Sequence, residues 1–568
     1  MILQSLNDYY RRKMADPDPS ARLPSFGLEN KEIPFILELS SSGRLLGLKD
    51  TRRIEGKRKI AQRFLVPKGV KKTSGVAANL LWDTAEYVLG VDTKGKPERM
   101  VQQAQAFRSR IAALPEAAND DGIKAVLSFL DDSPVAAVEG HAAFAEIKET
   151  NPVITFRLVD DKDLVCQRPV VIRGLADSDA DQLDDTPTQV CLVTGEIAKS
   201  ERLHTAIKGV WDAHTSGANI VSFNRDAFSS FGKEQGYNAP VGRAVAFAYT
   251  TALNHLLGKG SRQRLQVGDA STVFWAKEPD ELEDHFASIF GESATPDHTE
   301  ELRAVLESVH AGKFVGARGD NSFFVLGLAP NAARISVRFW QAEPLREIAR
   351  RIVEWFNALN IARAPHDPEF PSLFRLLIAC SVQNKADNIP PNLGGDIMRA
   401  ILSGSPFPVN WLNAAVQRSR AEQQVTYLRA AAIKACLNRG NRCSSNEMEF
   451  QPMLDLTNMN TAYRLGRLFA ALEKVQLEAS PGLNATIRDR YYGAASSTPV
   501  AVFTTLLRLK NHHMGKIENK GRATNFEKLL GEIMGDIKDF PAHLSLPDQG
   551  RFALGYYHQR QSFFTKSE

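Results

Sequence analysis

No stretch of the sequence reaches the roughly 18 consecutive apolar residues of a membrane-spanning helix. Its five cysteines, Cys166, Cys191, Cys380, Cys436 and Cys443, include no CxxC pair. Neither a disulfide framework nor a four-ligand zinc site follows from them, and the thiols are expected to be reduced. GxxxxGK[ST], HExxH and GxSxG are all missing. The segment LLGKGSRQR (256–264) has the glycines and lysine of a phosphate loop without its spacing or a preceding strand. Cys191 and His204 bracket the turn CLVTGEIAKSERLH with half the ligands of a zinc knuckle. Without a second pair they read as a buried thiol and a capping or surface histidine. No nucleophile, base and orienter set stands out, and no cofactor or metal is called for. Charge of one sign is also scarce: 70 Lys and Arg against 66 Asp and Glu leave only +4, which by itself does not argue for nucleic acid.

What is present is a long chain of ordinary globular composition. Its 568 residues exceed the roughly 250–300 at which a single core stops growing, so two or more cores are expected. The start, MILQSLNDYYRRKM, puts apolar residues before basic ones, the reverse of a secretion signal, and a cytoplasmic location is expected. The fold class reads as α+β, a mixed N-terminal region with antiparallel hairpins followed by an all-α helical bundle. IPFILEL (33–39), the turn SSSG (40–43) and RLLGLKDT (44–51) read as a hairpin, with Gly43 free to take positive φ. VITFRLV (153–159), VVIRGL (170–175) and QVCLVTG (189–195) read as strands. KFVGARGDNSFFVLGLAPNAARISVRFW (313–340) reads as a strand pair with a tight GD turn. Beyond it apolar residues recur at helical spacing: Leu465, Leu468, Phe469, Leu472 and Val475; Val502, Leu506 and Leu509; Phe526, Leu529, Leu530, Ile533 and Ile537. Ser497 or Thr498 can cap the helix whose first turn holds Pro499.

Two segments carry polar chemistry. From Arg52 to Lys72 nine Lys or Arg stand against Glu55 alone, a cationic stretch broken by Gly56, Pro67 and Gly69 and suited to phosphates. Residues 217–240, GANIVSFNRDAFSSFGKEQGYNAP, crowd amides, hydroxyls and glycines among aromatic rings. Asn224, Ser229, Ser230, Gln235 and Asn238 can donate and accept as base-reading groups do. The same residue types fold tight turns and cap helices, and Asn238 stands where it could cap VGRAVAFAYTTALNHLL. The residues support both readings equally. Phe223, Phe228 and Phe231 read as packing that holds the loop in shape.

The block CLVTGEIAKSERLHTAIKGVWDAHTSGANIVSFNRDAFSSFGKEQGYNAPVGRAVAFAYTTALNHLL resembles the large subunit of the type I-C CRISPR interference complex, Cascade. So do TSGVAANLLWDTAEYVLG (73–90), FVLGLAPNAARISVRFW (324–340), residues 462–517 and LSLPDQGRFALGYYHQRQSFF (544–564). The resemblance implies a non-catalytic subunit that recognises the protospacer-adjacent motif (PAM) on duplex DNA, initiates R-loop formation and helps recruit a helicase-nuclease for antiviral defence. Guide pairing would read the rest of the target. Implied partners are CRISPR RNA, target double-stranded DNA, the backbone and RNA-processing subunits, the helicase-nuclease, and a small subunit made by internal initiation at Met448, with Met453 and Met459 as rival starts. The implied organisation is a PAM-recognition and docking region (1–365), a helical connector (366–447) and a bundle resembling the small subunit (448–568). The expected PAM contacts are Lys68, Lys71, Lys72, Thr73 and Ser74 from one loop and Asn224, Ser229, Ser230, Lys233, Gln235 and Asn238 from the other. The groups expected on the displaced strand are Arg488, Arg490, Lys510, His512, His513 and Lys516. Two rival readings stand beside this one: a metal-dependent nuclease using His366 and Asp367, and a purely architectural scaffold.

Overall fold

The computed structural model of the chain describes all residues except 57, 71–74, 94, 115–118, 182–185, 292–299, 301–302, 304–306, 308–319, 333, 445–448, 536 and 565–568. The chain forms two compact units. One comprises Lys13–Arg202 and Ala239–Thr251; the other comprises Met1–Arg12, Leu203–Asn238 and Ala252–Glu568. The α+β class is as the sequence indicates.

The first unit is built on a four-stranded sheet ordered Leu45–Asp50, Phe35–Leu39, Val153–Leu158 and Trp82–Thr84. The expected hairpin is present, with Gly43 at φ +86° in its turn. Phe35–Leu39 also pairs in parallel with Val153–Leu158, and a parallel pairing needs a long crossover. The crossover supplies helices Pro97–Ala112 and Asp121–Asp131, whose Phe107 and Phe129 rings lie 6.3 and 6.1 Å from Phe156 in the core. Asp120 caps the second of these helices, accepting the Ile123 amide at 3.0 Å. Residues 170–175, expected as a strand, lie instead in helix Pro169–Asp181. The helix begins at Pro169, where a missing N–H costs nothing, and burial of Val170 and Val171 overrides their β-branched preference. Of 189–195 only the start is a strand: Thr188–Val190 pairs with Ile197–Lys199, and Cys191–Gly195 is the turn between them.

The second unit joins a four-stranded antiparallel sheet (Arg264–Val267, Ala270–Ala276, Ser322–Asn331, Arg334–Pro344) to the C-terminal helices through one continuous apolar core. The turn of its long hairpin is not at Gly319-Asp320. It is closed by the pair Asn331 and Arg334, with Ala332 at φ +51°. Residues 313–319 lie outside the described residues. The helical periodicity beyond is confirmed: Leu465, Leu468, Phe469, Leu472 and Val475 are buried on helix Thr461–Ala479, Val502 and Leu506 on Pro499–Lys516, and Phe526, Leu530 and Ile533 on Lys520–Met534. Thr498 takes the N-cap position before Pro499. Helices Thr461–Ala479 and Leu546–Ser562 touch backbone to backbone. A Cβ on Gly466 would lie 2.0 Å from the Phe552 carbonyl oxygen, and one on Gly555 1.9 Å from that of Tyr463.

Helix Tyr427–Ser444 is the hub of this unit. Three of its cations are buried, and each hydrogen-bonds a carbonyl in the last turns of a different helix. Arg429 Nε donates to Ala379 at 2.7 Å, Lys434 Nζ to Ala358 at 3.2 Å and Arg439 to Ala400 at 2.9 Å. Those carbonyls end helices Leu373–Ala379, Leu345–Leu359 and Leu393–Ser403, where the backbone leaves acceptors open and the helix dipole favours a cation. Burial pushes the Lys434 ammonium down to about 8.

Next to this hub lies His558, buried with Nδ1 3.0 Å from the Tyr463 hydroxyl. Burial first, and then the nearby Lys434 charge, push its pKa from 6.5 down to about 4, against a smaller opposing pull from Asp455. The unfolded chain therefore binds this proton first as pH falls, so stability is complete above 6.5 and declines from 6.5 toward 4. Urea denaturation at pH 7.5 and pH 5 should show His558→Gln losing about 2 kcal/mol less stability over that interval than the parent chain. An equal acid loss in the two proteins would contradict the assignment.

Candidate nucleic-acid interface

The amide-rich block is stitched onto the long hairpin of its unit. Asn219 is bridged to Arg334 and accepts the Ile335 amide at 3.0 Å. Farther along, the Arg334 guanidinium sits 4.3 Å over the Phe228 ring and donates to Asn224 Oδ1 at 2.6 Å. Arginine suits this double role, because a planar guanidinium stacks and donates at once. Asn224 thus spends its oxygen within the protein and keeps its amide nitrogen on an exposed surface.

Asn238 has a structural role, but not the one its position implied. Helix Arg243–Leu256 starts five residues beyond it, so Asn238 does not cap that helix. It ends a short 3-10 turn, Gln235–Asn238, and its side chain reaches back across the loop. Oδ1 accepts the Ser230 amide at 2.9 Å, and Nδ2 donates to the Lys233 and Gln235 carbonyls, each at 3.0 Å. One side chain therefore closes the turn from Ser230 to Gln235. Within that turn Phe231, Gly232 and Gln235 take φ values of +52°, +69° and +48°. For a phenylalanine this is a costly conformation, about 1 kcal/mol or more, kept only because its surroundings dictate it. Ser229, Ser230 and Lys233 are exposed and Gln235 is half-buried, and among the described residues their side chains make no hydrogen bond. Phe223 is half-buried and Phe228, though 37 % exposed, lies under the Arg334 guanidinium, whereas Phe231 is 97 % exposed and makes no ring contact among the described residues.

The basic segment of the other unit is less available than its composition implies. Arg52 is bound by Asp50 at 2.7 Å and by Glu146, Lys59 reaches Glu146 at 3.5 Å, and Arg63 reaches Glu32 at 3.1 Å. Lys68 is half-buried with its ammonium 5.3 Å over the Phe247 ring. Burial pushes its pKa down, against the opposing pull of Glu201 and Glu29. The backbone leading onward is pinned, Gly69 by Glu29 at 3.0 Å and Val70 by Asn79 at 2.9 Å. Lys71, Lys72, Thr73 and Ser74 lie outside the described residues, as does Met448.

A model of the family described as CRISPR-associated protein (Cas_Csd1) matches residues 6–564. The chain belongs to the Csd1 family. It is therefore a CRISPR-associated protein of Cascade type. No curated protein matches it.

In this Csd1-family chain the six groups expected on a displaced strand divide into two sets. Arg488 is tied to Asp489 at 3.4 Å and Glu473 at 3.8 Å, and Lys510 to Glu527 at 2.9 Å. His513 is half-buried, its pKa lowered by burial and then by His512 and Lys516. Arg490, His512 and Lys516 remain exposed and free of ion pairs among the described residues. Arg508, absent from the expected set, is exposed one turn before His512. Arg508, His512 and Lys516 thus form one stripe on helix Pro499–Lys516, which contains no acidic residue.

The rival nuclease pair fares differently. His366 is exposed, and Asp367 folds back to accept the Ala364 amide at 3.2 Å. Among the described residues no three His, Cys, Asp or Glu side chains converge. His204 is buried, not at the surface, and burial pushes it down to about 4. The Cys191 thiol is buried as expected, accepting the Gly242 amide at 3.3 Å. Among the described residues no helix is long and apolar enough to cross a membrane.

The Asn238 clamp should be visible in hydrogen exchange. In Asn238→Ala the Ser230 amide loses its acceptor and should exchange at least about tenfold faster. Unchanged protection at Ser230 would contradict the clamp.

Proposed function

We propose that the chain is the non-catalytic, cytoplasmic large subunit of a type I-C Cascade, which recognises the PAM on duplex DNA and starts R-loop formation. The observation that carries this reading is the turn clamped by Asn238. It exposes the Ser229 and Ser230 hydroxyls and the Lys233 ammonium, with the half-buried Gln235 amide beside them, none with a protein partner among the described residues, on a turn tied by three hydrogen bonds of Asn238. Groups of that kind test base edges, while cations hold phosphates and set position. Target sequence beyond the motif is left to pairing with the CRISPR RNA. The partners in this reading are the CRISPR RNA, the target duplex, the backbone and RNA-processing subunits, a small subunit from internal initiation, and a helicase-nuclease recruited once the R-loop has formed. The stripe Arg508, His512 and Lys516, with Arg490, is the surface for the displaced strand.

Competition binding by the assembled complex against a panel of PAM variants tests the reader. Asn224→Ala and Gln235→Ala should each cost about 1–3 kcal/mol on the preferred motif and flatten the ranking of the panel. An unchanged ranking would leave the chain a scaffold and overturn the reading. The stripe is tested by salt. Arg508→Ala combined with Lys516→Ala should lower the slope of log affinity against log salt by about 1.4 on a full target, about 0.7 for each lost contact to single-stranded phosphate. A target lacking the displaced strand should show no such change; an equal change on both targets would contradict the assignment.

A further inference from the structure

The glycine-rich segment LLGKGSRQR (256–264) has no part in motif recognition. It follows helix Arg243–Leu256, and its Ser261 amide donates to the Gly258 carbonyl at 3.0 Å in a turn that leaves Lys259 and Arg262 exposed. Against it packs the loop of residues 208–217, closed at its base where Ile207 and Ala218 exchange backbone hydrogen bonds of 2.8 and 2.9 Å. The Lys208 amide donates to Asn254 Oδ1 at 2.7 Å. Gly209, at φ +86°, comes so near Leu257 that a Cβ would lie 2.6 Å from its carbonyl oxygen. The Trp211 amide donates to Ser271 Oγ at 2.8 Å, which fixes the backbone under the ring. The indole itself is 63 % exposed and among the described residues touches no other ring, whereas the other five tryptophans are buried or half-buried. Lys208 and His214 are exposed on the same loop, and Lys208, Lys259 and Arg262 form no ion pair among the described residues. Asp212 is the one acid in the two segments. A protein-docking surface would gather apolar area about the indole, but Asp212, His214, Thr215 and Ser216 are the exposed residues that follow it. A fixed ring beside unpaired cations instead suits a single strand, whose bases stack on any aromatic face while cations follow the phosphates. In a duplex the base faces are already covered by one another.

We propose that these two loops form a site for single-stranded nucleic acid, with Trp211 stacked on a base and Lys208, Lys259 and Arg262 on the flanking phosphates. RNA and opened DNA both present that chemistry. The test is fluorescence anisotropy of the full chain with labelled oligo(U) RNA and oligo(dT) DNA. The parent for this test carries Arg508→Ala and Lys516→Ala, so that the stripe on helix Pro499–Lys516 contributes nothing. Trp211→Ala should weaken binding about tenfold or more, the loss expected for one stacked base, and Trp211→Phe should retain most of the affinity. Lys259→Ala combined with Arg262→Ala should lower the slope of log affinity against log salt by about 1.4, about 0.7 for each lost phosphate contact. The bound strand should quench indole fluorescence in the parent, and that quenching should vanish in Trp211→Ala. Tighter binding of the RNA assigns the site to the guide, tighter binding of the DNA to an opened target strand, and equal binding to either. Unchanged affinity in Trp211→Ala overturns the proposal. So does a parent that binds neither oligonucleotide, which leaves the indole to a protein partner. The motif ranking of Asn224→Ala and Gln235→Ala is read on duplexes, so failure of the reading function and failure of this site are recognisable separately.

Discussion

Three helices of the larger unit end inside its core, and their last carbonyls need donors that water cannot supply. Helix Tyr427–Ser444 answers with Arg429, Lys434 and Arg439, each reaching a carbonyl at the end of a different helix. Arg439 also lies 4.5 Å over the Phe407 ring, so the same cation fills space and satisfies backbone. A buried cation facing dipole-aligned carbonyls is tolerable where a lone charge would not be. The C-terminal helices then close by direct backbone approach at Gly466 and Gly555. The long hairpin that bears Arg334 shares the apolar core of these helices, so the support beneath the candidate interface rests on the same packing.

At the loop, similar physics works on a smaller scale. Asn238 satisfies one amide and two carbonyls of a turn that no strand pairs with. Arg334 fixes the other side through Phe228 and Asn224. The result is a turn tied by side chains of its own unit, with the Ser229 and Ser230 hydroxyls and the Lys233 ammonium exposed and without a protein partner among the described residues. On the proposed reading, that division between groups that hold shape and groups left outward is what a recognition loop requires.

Much of the fold was legible because it rests on local pattern. Two apolar runs around the turn SSSG, with Gly43 free to take positive φ, marked the first hairpin, and helical periodicity marked the C-terminal bundle down to individual buried residues. Val170, Val171 and Ile172 misled because a short apolar β-branched run has no period of its own, and only the surrounding core decides between strand and helix. The site was half legible. Residue types marked Asn238 as structural, yet its partners lie back along the loop and not in the helix ahead. Arg334 stands 110 residues from Asn224, beyond the reach of any spacing rule. Lys510 and Arg488 looked free because Glu527 and Glu473 approach them from other helices. Phe231 read as packing because a phenylalanine's exposure is set by the turn that carries it.

The most direct measurement is a cryo-EM structure of the assembled complex on a duplex that carries the motif. If the loop is the reader, residues 229–235 will lie in a groove of the motif with Asn224 or Gln235 in hydrogen-bonding distance of base edges and the Asn238 clamp intact. A loop turned to solvent or packed on another subunit, with the motif contacted only from elsewhere, would contradict it.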